Sequence, residues 1–288
     1  MFTPDALPRN FAIYGNARAG KGAMRSILQK VCSTFEKQGI LYAIFDHDLP
    51  PSLSTFTDLL VIGGDGTMNY VANHFGDIII PISLISSGTG NDFACALQGA
   101  RLGVEEQLRV AIEGRVRWLD AGICNDRIFV NGVGLGFDGR VVKAMRNGSW
   151  FSGGLAYYAK VLPLLFSYKE RYLSITTDNG AFNGYYFMIA IANGSSYGGG
   201  FQVAPDADMA DAMLDVVFIR EITLRDRLFN LHKVRRGEHE GVPFISKVRT
   251  RGIRISSPAP LDVHLDGEYT KGKDFSIMIA PCKYRFRG

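Results

Sequence analysis

The N-terminal part of the chain alternates short apolar runs with longer segments in which apolar residues recur at helical spacing. The apolar runs cover residues 11–14, 41–45, 58–62 and 78–85, and they predict strands. Residues 21–38 predict a helix, because Leu28, Val31, Cys32 and Phe35 recur at about 3.6-residue spacing. Strands that alternate with helices in this way predict a parallel, doubly wound α/β sheet.

The pattern changes near Trp118. From Arg127 onward, short apolar segments are separated by glycine, asparagine and aspartate turns. This pattern predicts a second, mainly antiparallel domain.

Composition and charge narrow the functional class only slightly. The 288 residues suffice for two cores, and a net charge of +4 is too small to predict nucleic-acid binding. That charge is compatible with an anionic membrane surface or with ATP as a substrate. The four scattered cysteines lack C-x-x-C spacing and indicate reduced packing residues. No signal peptide or apolar run of roughly 20 residues is visible, so we expect a cytoplasmic protein, soluble or peripheral at the inner membrane face.

A glycine-rich turn follows the third predicted strand. Gly63, Gly64, Asp65, Gly66 and Thr67 stand between an apolar run and a helical segment, the layout of a phosphate-binding turn. Glycines let the backbone approach an anion, and the following helix directs unpaired N–H groups toward it. The turn matches neither a P-loop nor a dinucleotide fingerprint. Asp65 predicts a contact with a ribose or base hydroxyl, or with a cation such as Mg²⁺.

A second turn of this type follows the next predicted strand. Residues 86–92 pass through Gly88, Thr89 and Gly90 into a helix-like segment. The Thr89 hydroxyl can donate to phosphate, and Asn91 or Asp92 can cap the helix. Two such turns after successive strands favour a nucleotide site over simple chain reversal.

These motifs resemble the diacylglycerol kinase catalytic family, whose bacterial members and sphingosine kinase relatives phosphorylate lipid hydroxyls. The resemblance includes both turns and Asn69, and it covers nearly the whole chain. Its further motifs are residues 131–138, 198–200, 204–207, 236–239 and 266–268. The family implies an α/β nucleotide-binding domain and a β-sandwich domain, with the active site in the cleft between them. Because family members return the C-terminal segment to the first domain, we expect domains of 1–122 with 281–288, and of 123–280.

For the nucleotide, the resemblance implies a site made of turns from the first domain. Its residues are Asn16, Gly20, Gly63, Gly64, Asp65, Gly66, Thr67, Asn69, Gly88, Thr89 and Asn91. The first of these turns departs from the family, because Ala17 and Ala19 replace the usual proline and serine and remove one hydroxyl donor. Residues 46–57 predict a loop where many relatives carry a helix beside the adenosine.

The segment Asp266-Gly267-Glu268 contains the catalytic carboxylates that the resemblance implies. Taken alone, Asp-Gly-Glu equally predicts a hairpin turn. Within the family, one of Asp266 and Glu268 is the general base that takes the proton of the lipid hydroxyl, and the other orients the base or Mg²⁺. The sequence leaves open which residue has which role.

Asp65 and Asp120 are the candidates for a catalytic Mg²⁺, bound directly or through water. Asp120 equally predicts a turn at a strand end, because it lies between Leu119 and Ala121-Gly122.

Relatives also hold a structural Mg²⁺, which the resemblance places on Asp211 and the carbonyls of Asp208 and Met213. The glycine that usually follows this aspartate is Ala212 here. If the loop requires a positive φ at that position, alanine carries a steric penalty and the ion site is altered.

Two helical segments suit a lipid, although simpler roles explain both. Residues 150–166 mix aromatic residues and leucines and predict a helix that lines an acyl pocket, rests on a membrane or covers the sandwich. Residues 224–236 predict a basic amphipathic helix, which suits anionic lipid or a solvated face. His232, His239 and His264 lack metal-ligand spacing, so packing or surface roles come first.

We therefore predict an ATP- and Mg²⁺-dependent kinase that transfers the γ-phosphoryl group to a hydroxyl of a diacylglycerol-like lipid. One alternative is an NAD kinase, which shares a Gly-Asp-Gly turn but not residues 88–93 or the Asp-Gly-Glu motif. Another is a non-catalytic lipid-binding or regulatory protein on the same scaffold, against which stand Asp65, Thr89, Asp266 and Glu268. The acceptor lipid and the oligomeric state stay open.

Overall fold

A computed structural model describes residues 8–15, 23–87, 91–99, 101–146, 154–198 and 200–288. The chain divides into two compact units. The first comprises Met1–Leu119 and Cys282–Gly288, and the second comprises Asp120–Pro281.

The first unit is a parallel sheet with helices. In chain order its elements are β1 (Asn10–Gly15), α1 (Ala23–Gln38), β2 (Leu41–Phe45), β3 (Asp58–Gly63), α2 (Asp65–Phe75), β4 (Ile82–Ser86), α3 (Asp92–Gln98) and α4 (Val104–Glu113). The strands lie in the order β2-β1-β3-β4, and each neighbouring pair is parallel. The chain order therefore reverses at β1, which pairs with β2 on one edge and with β3 on the other.

The apolar pattern of this unit follows from burial. Every residue of β3 is buried, as expected for a central strand that is covered on both faces. Helix α1 packs Val31 and Phe35 into a core with Phe11 of β1 and Leu60 of β3. These contacts explain why the helical spacing of residues 21–38 is readable from the sequence.

The predicted strand over residues 78–85 is wrong in its first half. Strand β4 begins at Ile82, which pairs with Leu59 near the start of β3, so the ladder has its first rung there. Pro81 lacks the N–H that a ladder requires, and Ile79 is 79% exposed. Residues 46–57 form neither helix nor strand, which confirms the predicted loop.

The second unit is built mainly from antiparallel strands. The remaining elements are β5 (Val116–Cys124), β6 (Arg127–Phe129), β7 (Gly132–Gly136), α5 (Phe137–Arg146), α6 (Gly154–Ser167), β8 (Arg171–Thr177), β9 (Gly180–Ala181), β10 (Gly184–Ala192), β11 (Leu214–Arg220), α7 (Leu224–Arg236), β12 (Ile245–Thr250), β13 (Gly252–Leu265) and β14 (Glu268–Arg287). The antiparallel order is β12-β11-β10-β7-β13-β14, and β8 pairs with both β10 and β13. The end of β14 belongs to the first unit, where Phe286 pairs with Ile82 of β4. The predicted fold class, a parallel α/β part followed by a mainly antiparallel part, is confirmed.

Strand β10 is apolar on both faces because it lies between two cores. Ile189 and Ile191 belong to the core enclosed by the strands. Phe187 and Ala190 belong to a second core, formed with α5, α6 and α7. No helix in the described parts of the chain combines the length and apolar character needed to cross a bilayer.

Candidate functional site

The glycine turn after β3 lies at the carboxyl edge of the parallel sheet of the first unit. Gly63 ends β3 and pairs with Ser86 at the end of β4, while Gly15 ends β1 opposite Ile62. Open α/β sheets bind ligands at this edge, next to the strands where the chain order reverses. Four predicted nucleotide residues fall outside the described residues, namely Asn16, Gly20, Gly88 and Thr89.

The turn after β3 is tight because α2 begins two residues after the strand ends. A Cβ at Gly63 would overlap the Thr67 side chain, so this position requires glycine. The N–H groups of Thr67 and Met68 donate to the carbonyl of Gly64 at 3.0 and 3.2 Å. Gly66 lies in the first turn of α2, whose positive dipole end is therefore at the sheet edge.

Asp65 joins the two predicted turns. Its carboxylate accepts the N–H of Asp92 at 3.1 Å and the N–H of Phe93 at 3.0 Å, the first two residues of α3. Asn91 occupies the N-cap position, as predicted, but it has a left-handed φ of 55° and makes no side-chain cap hydrogen bond. An N-cap side chain reaches the helix amides from extended backbone, and here Asp65 supplies the acceptor instead.

Asn69 follows Asp65 by one turn of α2 and is buried. Its side-chain carbonyl accepts a hydrogen bond from Asn73 at 3.2 Å, and its main-chain carbonyl accepts another from the same amide at 2.9 Å. Asn69 therefore contributes to the buried face of α2.

In the second unit, Asp266 and Gly267 form the two-residue loop between β13 and β14. Leu265 pairs with Glu268 across this loop, and Asp266 and Gly267 have φ values of 47° and 85°. Two positive φ angles in a two-residue loop define a type I′ hairpin turn, for which Asp-Gly is a favoured sequence. The hairpin interpretation of this motif is confirmed.

The two acids of this hairpin have different surroundings. The buried carboxylate of Asp266 accepts the N–H groups of Val130, Asn131 and Gly132 at 2.8–2.9 Å. The N–H of Asp266 donates to the carbonyl of Gly132 at 2.9 Å. Glu268 is exposed, and its side chain makes no hydrogen bond or ion pair with any residue that the structure describes. Asp266 thus fixes the hairpin, whereas Glu268 is accessible for chemistry.

A buried histidine connects the hairpin to a second acid that sequence reasoning left without a role. The N–H of Gly267 donates to Nδ1 of His264 at 3.3 Å, so Nε2 carries the proton and donates to Asp138 at 2.9 Å. Gly134 leaves room for this pair, because a Cβ there would overlap both side chains. The signal in the sequence was the glycine-rich run of residues 131–138, which ends in Asp138.

Asp138 also lines a cavity of about 900 Å³ within the second unit. The cavity wall is largely apolar and includes Val141 of α5, Leu165 of α6 and Met188 of β10. Tyr197 contributes a phenol to the cavity wall. Burial and the nearby charge of Asp138 raise the pKa of this phenol well above its ordinary value. The volume is in the range of small-molecule pockets, and the lining suits a mostly apolar ligand with one polar group.

Four predicted metal residues lie together in the second unit, namely Asp120, Asp208, Asp211 and Met213, and the carboxylates of the three aspartates accept main-chain N–H groups. Asp120 is buried and accepts the N–H of Ala212 at 2.7 Å. Asp208 accepts the N–H of Ala210 at 3.0 Å, and Asp211 accepts the N–H of Met213 at 2.9 Å. Ala212 has a φ of 60°, so the loop does require a positive φ at the position where alanine replaces the usual glycine.

An arginine of the neighbouring strand β12 supplies the positive charge in this loop. The second carboxylate oxygen of Asp211 binds the guanidinium of Arg249, whose Nε lies 3.8 Å from Asp215. Asp211 does not fit the expected structural Mg²⁺, because one of its carboxylate oxygens accepts an N–H group and the other binds a guanidinium. Within the described residues, no set of three or more His, Cys, Asp or Glu side chains is placed to hold a metal ion.

The buried amide of Asn193 connects this loop with the hairpin. Its Nδ2 donates to the carbonyl of Asp120 at 3.1 Å and to the carbonyl of Val130 at 2.7 Å. Since the N–H of Val130 donates to Asp266, one polar network connects Asp120 to Asp266.

Family models match both parts of the chain. Residues 10–124 match the diacylglycerol kinase catalytic domain. Residues 131–285 match the YegS C-terminal NAD kinase beta sandwich-like domain.

Curated relatives agree with these matches. The chain is 30% identical over 234 residues to a Shewanella frigidimarina protein named a probable lipid kinase YegS-like, covering 79% of this chain and 75% of that protein. It is 27% identical over 271 residues to the diacylglycerol kinase of Bacillus subtilis, covering 88% of each chain.

Solved structures share the fold. A crystal structure of a diacylglycerol kinase from Bacillus anthracis superimposes with a TM-score of 0.73 and 19% identity, covering 98% of this chain and 97% of that one. An NAD kinase from Archaeoglobus fulgidus in complex with ATP superimposes with a TM-score of 0.56 and 14% identity, covering 97% and 93%. At such identities the likeness concerns the fold alone. With the two family matches and the 30% identical relative, the chain belongs to the diacylglycerol kinase catalytic-domain family of lipid kinases.

Proposed function

We propose that this protein transfers the γ-phosphoryl group of ATP to a hydroxyl of an acylated lipid, with diacylglycerol as the first candidate acceptor. Family membership supports a lipid kinase, and the Bacillus subtilis relative is named a diacylglycerol kinase. The observation that carries the catalytic proposal is the contrast between the locked Asp266 and the accessible Glu268.

The first unit is the proposed nucleotide-binding part. Its turn after β3 combines three glycines with the N-terminus of α2, and such an edge stabilises phosphate through backbone N–H groups. Asp65 is the proposed Mg²⁺ ligand, since a carboxylate that accepts two N–H groups retains acceptor capacity for a cation. Mg²⁺ is ordinarily bound by one or two carboxylates together with substrate phosphates. When bound, Mg²⁺ would neutralise charge on the phosphates.

Glu268 is the proposed general base. An exposed carboxylate on a rigid hairpin can take the proton of an attacking hydroxyl without first breaking a contact within the protein. Asp266 has the supporting role, because its three accepted hydrogen bonds hold the turn on which Glu268 lies. Asp120 supports the same network through Ala212 and Asn193.

The cavity of the second unit is the proposed acyl site. Its apolar wall can shelter a hydrocarbon chain, and Asp138 can accept a hydrogen bond from a donor near the polar end of the lipid. His264 orients Asp138 and contacts the hairpin of Glu268 through Gly267. The same side chain therefore contacts both the proposed lipid site and the proposed catalytic hairpin. An apolar wall also favours a lipid over NAD as the acceptor.

The test is phosphate transfer from labelled ATP to a panel of lipids in detergent micelles. The panel contains diacylglycerol, a sphingoid base, a ceramide and phosphatidylglycerol. We expect transfer to diacylglycerol above the others. Tight binding of one lipid without transfer to any would contradict the kinase proposal and favour the non-catalytic alternative.

Variants of the two acids test their separate roles. Glu268→Gln should lower kcat by about 10²–10⁴-fold with an unchanged melting temperature, because it removes only the base. Asp266→Asn should lower the melting temperature, because the introduced NH₂ group faces main-chain donors and leaves one of them unpaired. The matched control is Glu221→Gln, an exposed acid of the same unit, which should change neither quantity. A Glu268→Gln enzyme with native kcat would show that another group is the base.

A further inference from the structure

Large apolar side chains lie exposed on two helices of the second unit. Together they form what we call the α6–α7 face, consisting of Leu162, Phe166, Leu224, Leu228 and Phe229. Phe229 is the most exposed of the five at 65%. Such clusters on a soluble protein mark interaction sites more often than isolated exposed residues do.

The two helices are fixed to each other, so this face is a defined surface. Arg227 of α7 donates to the carbonyls of Leu165 and Tyr168 at the end of α6, at 2.7 and 2.9 Å. The same guanidinium forms an ion pair with the half-buried Glu170. Helix α7 is also capped at its start, where Thr223 accepts the N–H of Asp226.

The face is continuous with the cavity described above. Leu162 of α6 and Leu228 of α7 line the cavity, and each is also more than 40% exposed. The cavity therefore reaches the surface between these two side chains. An apolar molecule on the face would meet the cavity without crossing polar surface at that point.

The charge on α7 identifies the kind of partner. The helix carries five arginines and lysines and one aspartate, and its last turn contains Lys233, Arg235 and Arg236. The aspartate, Asp226, lies in the first turn of the helix, at the end opposite to this basic cluster. Apolar side chains beside a basic cluster complement the acyl boundary and the phosphates of an anionic bilayer.

We propose that the α6–α7 face is the surface by which this protein docks on anionic membranes. Phe166, Phe229 and Leu224 enter the headgroup boundary, and the basic end of α7 contacts lipid phosphates. The proposal rests on the proposed function, for which it names the route of the lipid from the bilayer into the cavity.

Vesicle sedimentation tests the docking surface without any measurement of catalysis. We expect the native protein to bind vesicles of phosphatidylcholine mixed with phosphatidylglycerol, and to bind pure phosphatidylcholine vesicles less. Added salt should weaken the binding, because the phosphate contacts are screened. Phe166→Ser and Phe229→Ser should each lower vesicle affinity about tenfold, since each removes one buried aromatic side chain from the bilayer.

Matched controls separate this surface from general hydrophobicity. Ile79→Ser in the first unit and Tyr185→Ser in the second remove comparably exposed apolar side chains and should leave vesicle affinity unchanged. Equal loss of binding in the controls, or native binding by Phe166→Ser and Phe229→Ser, would overturn the proposal. So would native protein that ignores anionic vesicles.

Two further measurements separate membrane docking from catalysis and from self-association. In Phe229→Ser, the rate of phosphorylation of a dispersed short-chain diacylglycerol should stay near native, whereas the rate with vesicle-borne diacylglycerol should fall. If the kinase proposal fails, neither form is phosphorylated, although vesicle binding can still be measured.

Light scattering in the absence of lipid tests whether a second copy of the chain occupies the α6–α7 face. A native dimer that Phe229→Ser converts to monomer would assign the face to self-association and overturn membrane docking.

Discussion

At the residue scale, Ala212 shows how a loop imposes a conformation that its side chain disfavours. Its N–H is directed to the buried carboxylate of Asp120, and the neighbouring N–H of Met213 is directed to Asp211. Both contacts require the chain to turn at residue 212, where φ is 60°. The left-handed region costs an L-residue with a Cβ roughly 1–2 kcal/mol.

We expect Ala212→Gly to stabilise the protein by up to about 1 kcal/mol, because relief of this strain exceeds the entropy that glycine adds to the unfolded chain. The melting temperature should rise by about 2–4 °C in differential scanning calorimetry. Ala210→Gly is the control in the same loop, and without a positive φ to relieve it should be neutral or destabilising. Equal effects of the two variants would disprove strain at residue 212.

The residue scale also shows the limit of sequence reasoning in the candidate site. The positive φ at Ala212 was anticipated because the family places glycine there. The division of labour between Asp266 and Glu268 was not, because it depends on N–H groups more than 130 positions earlier in the chain. The link from His264 to Asp138 was missed for the same reason, since only the pairing of β13 with β7 brings these residues together.

At the element scale, β12 provides positive charge to the loop that contains Asp211. Arg249 on this strand reaches Asp211 of the loop and Asp215, the residue that pairs with it on β11. Burial raises the pKa of Asp215, while the positive charge of Arg249 opposes that rise. The loop is therefore neutralised by a side chain of the protein itself.

We expect Arg249→Met to lower the melting temperature by a few degrees, because Asp211 and Asp215 then face each other without a counter-charge. Native protein should show the same melting temperature in EDTA and in Mg²⁺. The control is Lys247→Met on the same strand, whose partner Asp206 is 81% exposed, and which should have little effect. A native melting temperature that rises strongly with Mg²⁺ would restore the metal-site expectation.

Secondary structure was predictable where the burial of an element leaves a regular apolar pattern in its own sequence. The central strand β3 is buried throughout and reads as a continuous apolar run, and α1 has a periodic buried stripe. The error at residues 78–81 arose because apolar residues alone do not make a strand. A partner is also needed, and the first rung between β3 and β4 joins Leu59 to Ile82.

At the scale of the whole molecule, Asp58 joins segments from both ends of the chain. Its buried carboxylate binds Arg9, which precedes β1, and Arg287, the last residue of β14. Burial alone would raise the pKa of Asp58, but the hydrogen bonds from Arg9 and Thr57 and the charges of both arginines outweigh it. The pKa of Asp58 is therefore held below the ordinary value of 3.8.

A lowered pKa in the folded state stabilises the fold at pH values above the ordinary pKa, and the contribution is lost as the pH falls through the folded value. We therefore expect the first unit to lose stability below about pH 4. Asp58→Asn should weaken this pH dependence and destabilise the unit by about 3–5 kcal/mol, since two arginines lose their partner. Hydrogen exchange of β3 amides across pH measures both effects, and an unaltered pH profile in Asp58→Asn would exclude Asp58 as the group responsible.

The discontinuity of the first unit determines when that unit can form during synthesis. Strand β4 pairs with Phe286, and the carbonyl of Gly76 at the end of α2 accepts a hydrogen bond from the Tyr284 hydroxyl. Both residues emerge from the ribosome only after the entire second unit, so the usual order in which N-terminal domains mature first is reversed here. A nascent chain halted at residue 281 would present an open sheet edge to chaperones and to other chains, and the half translated first would be the half completed last.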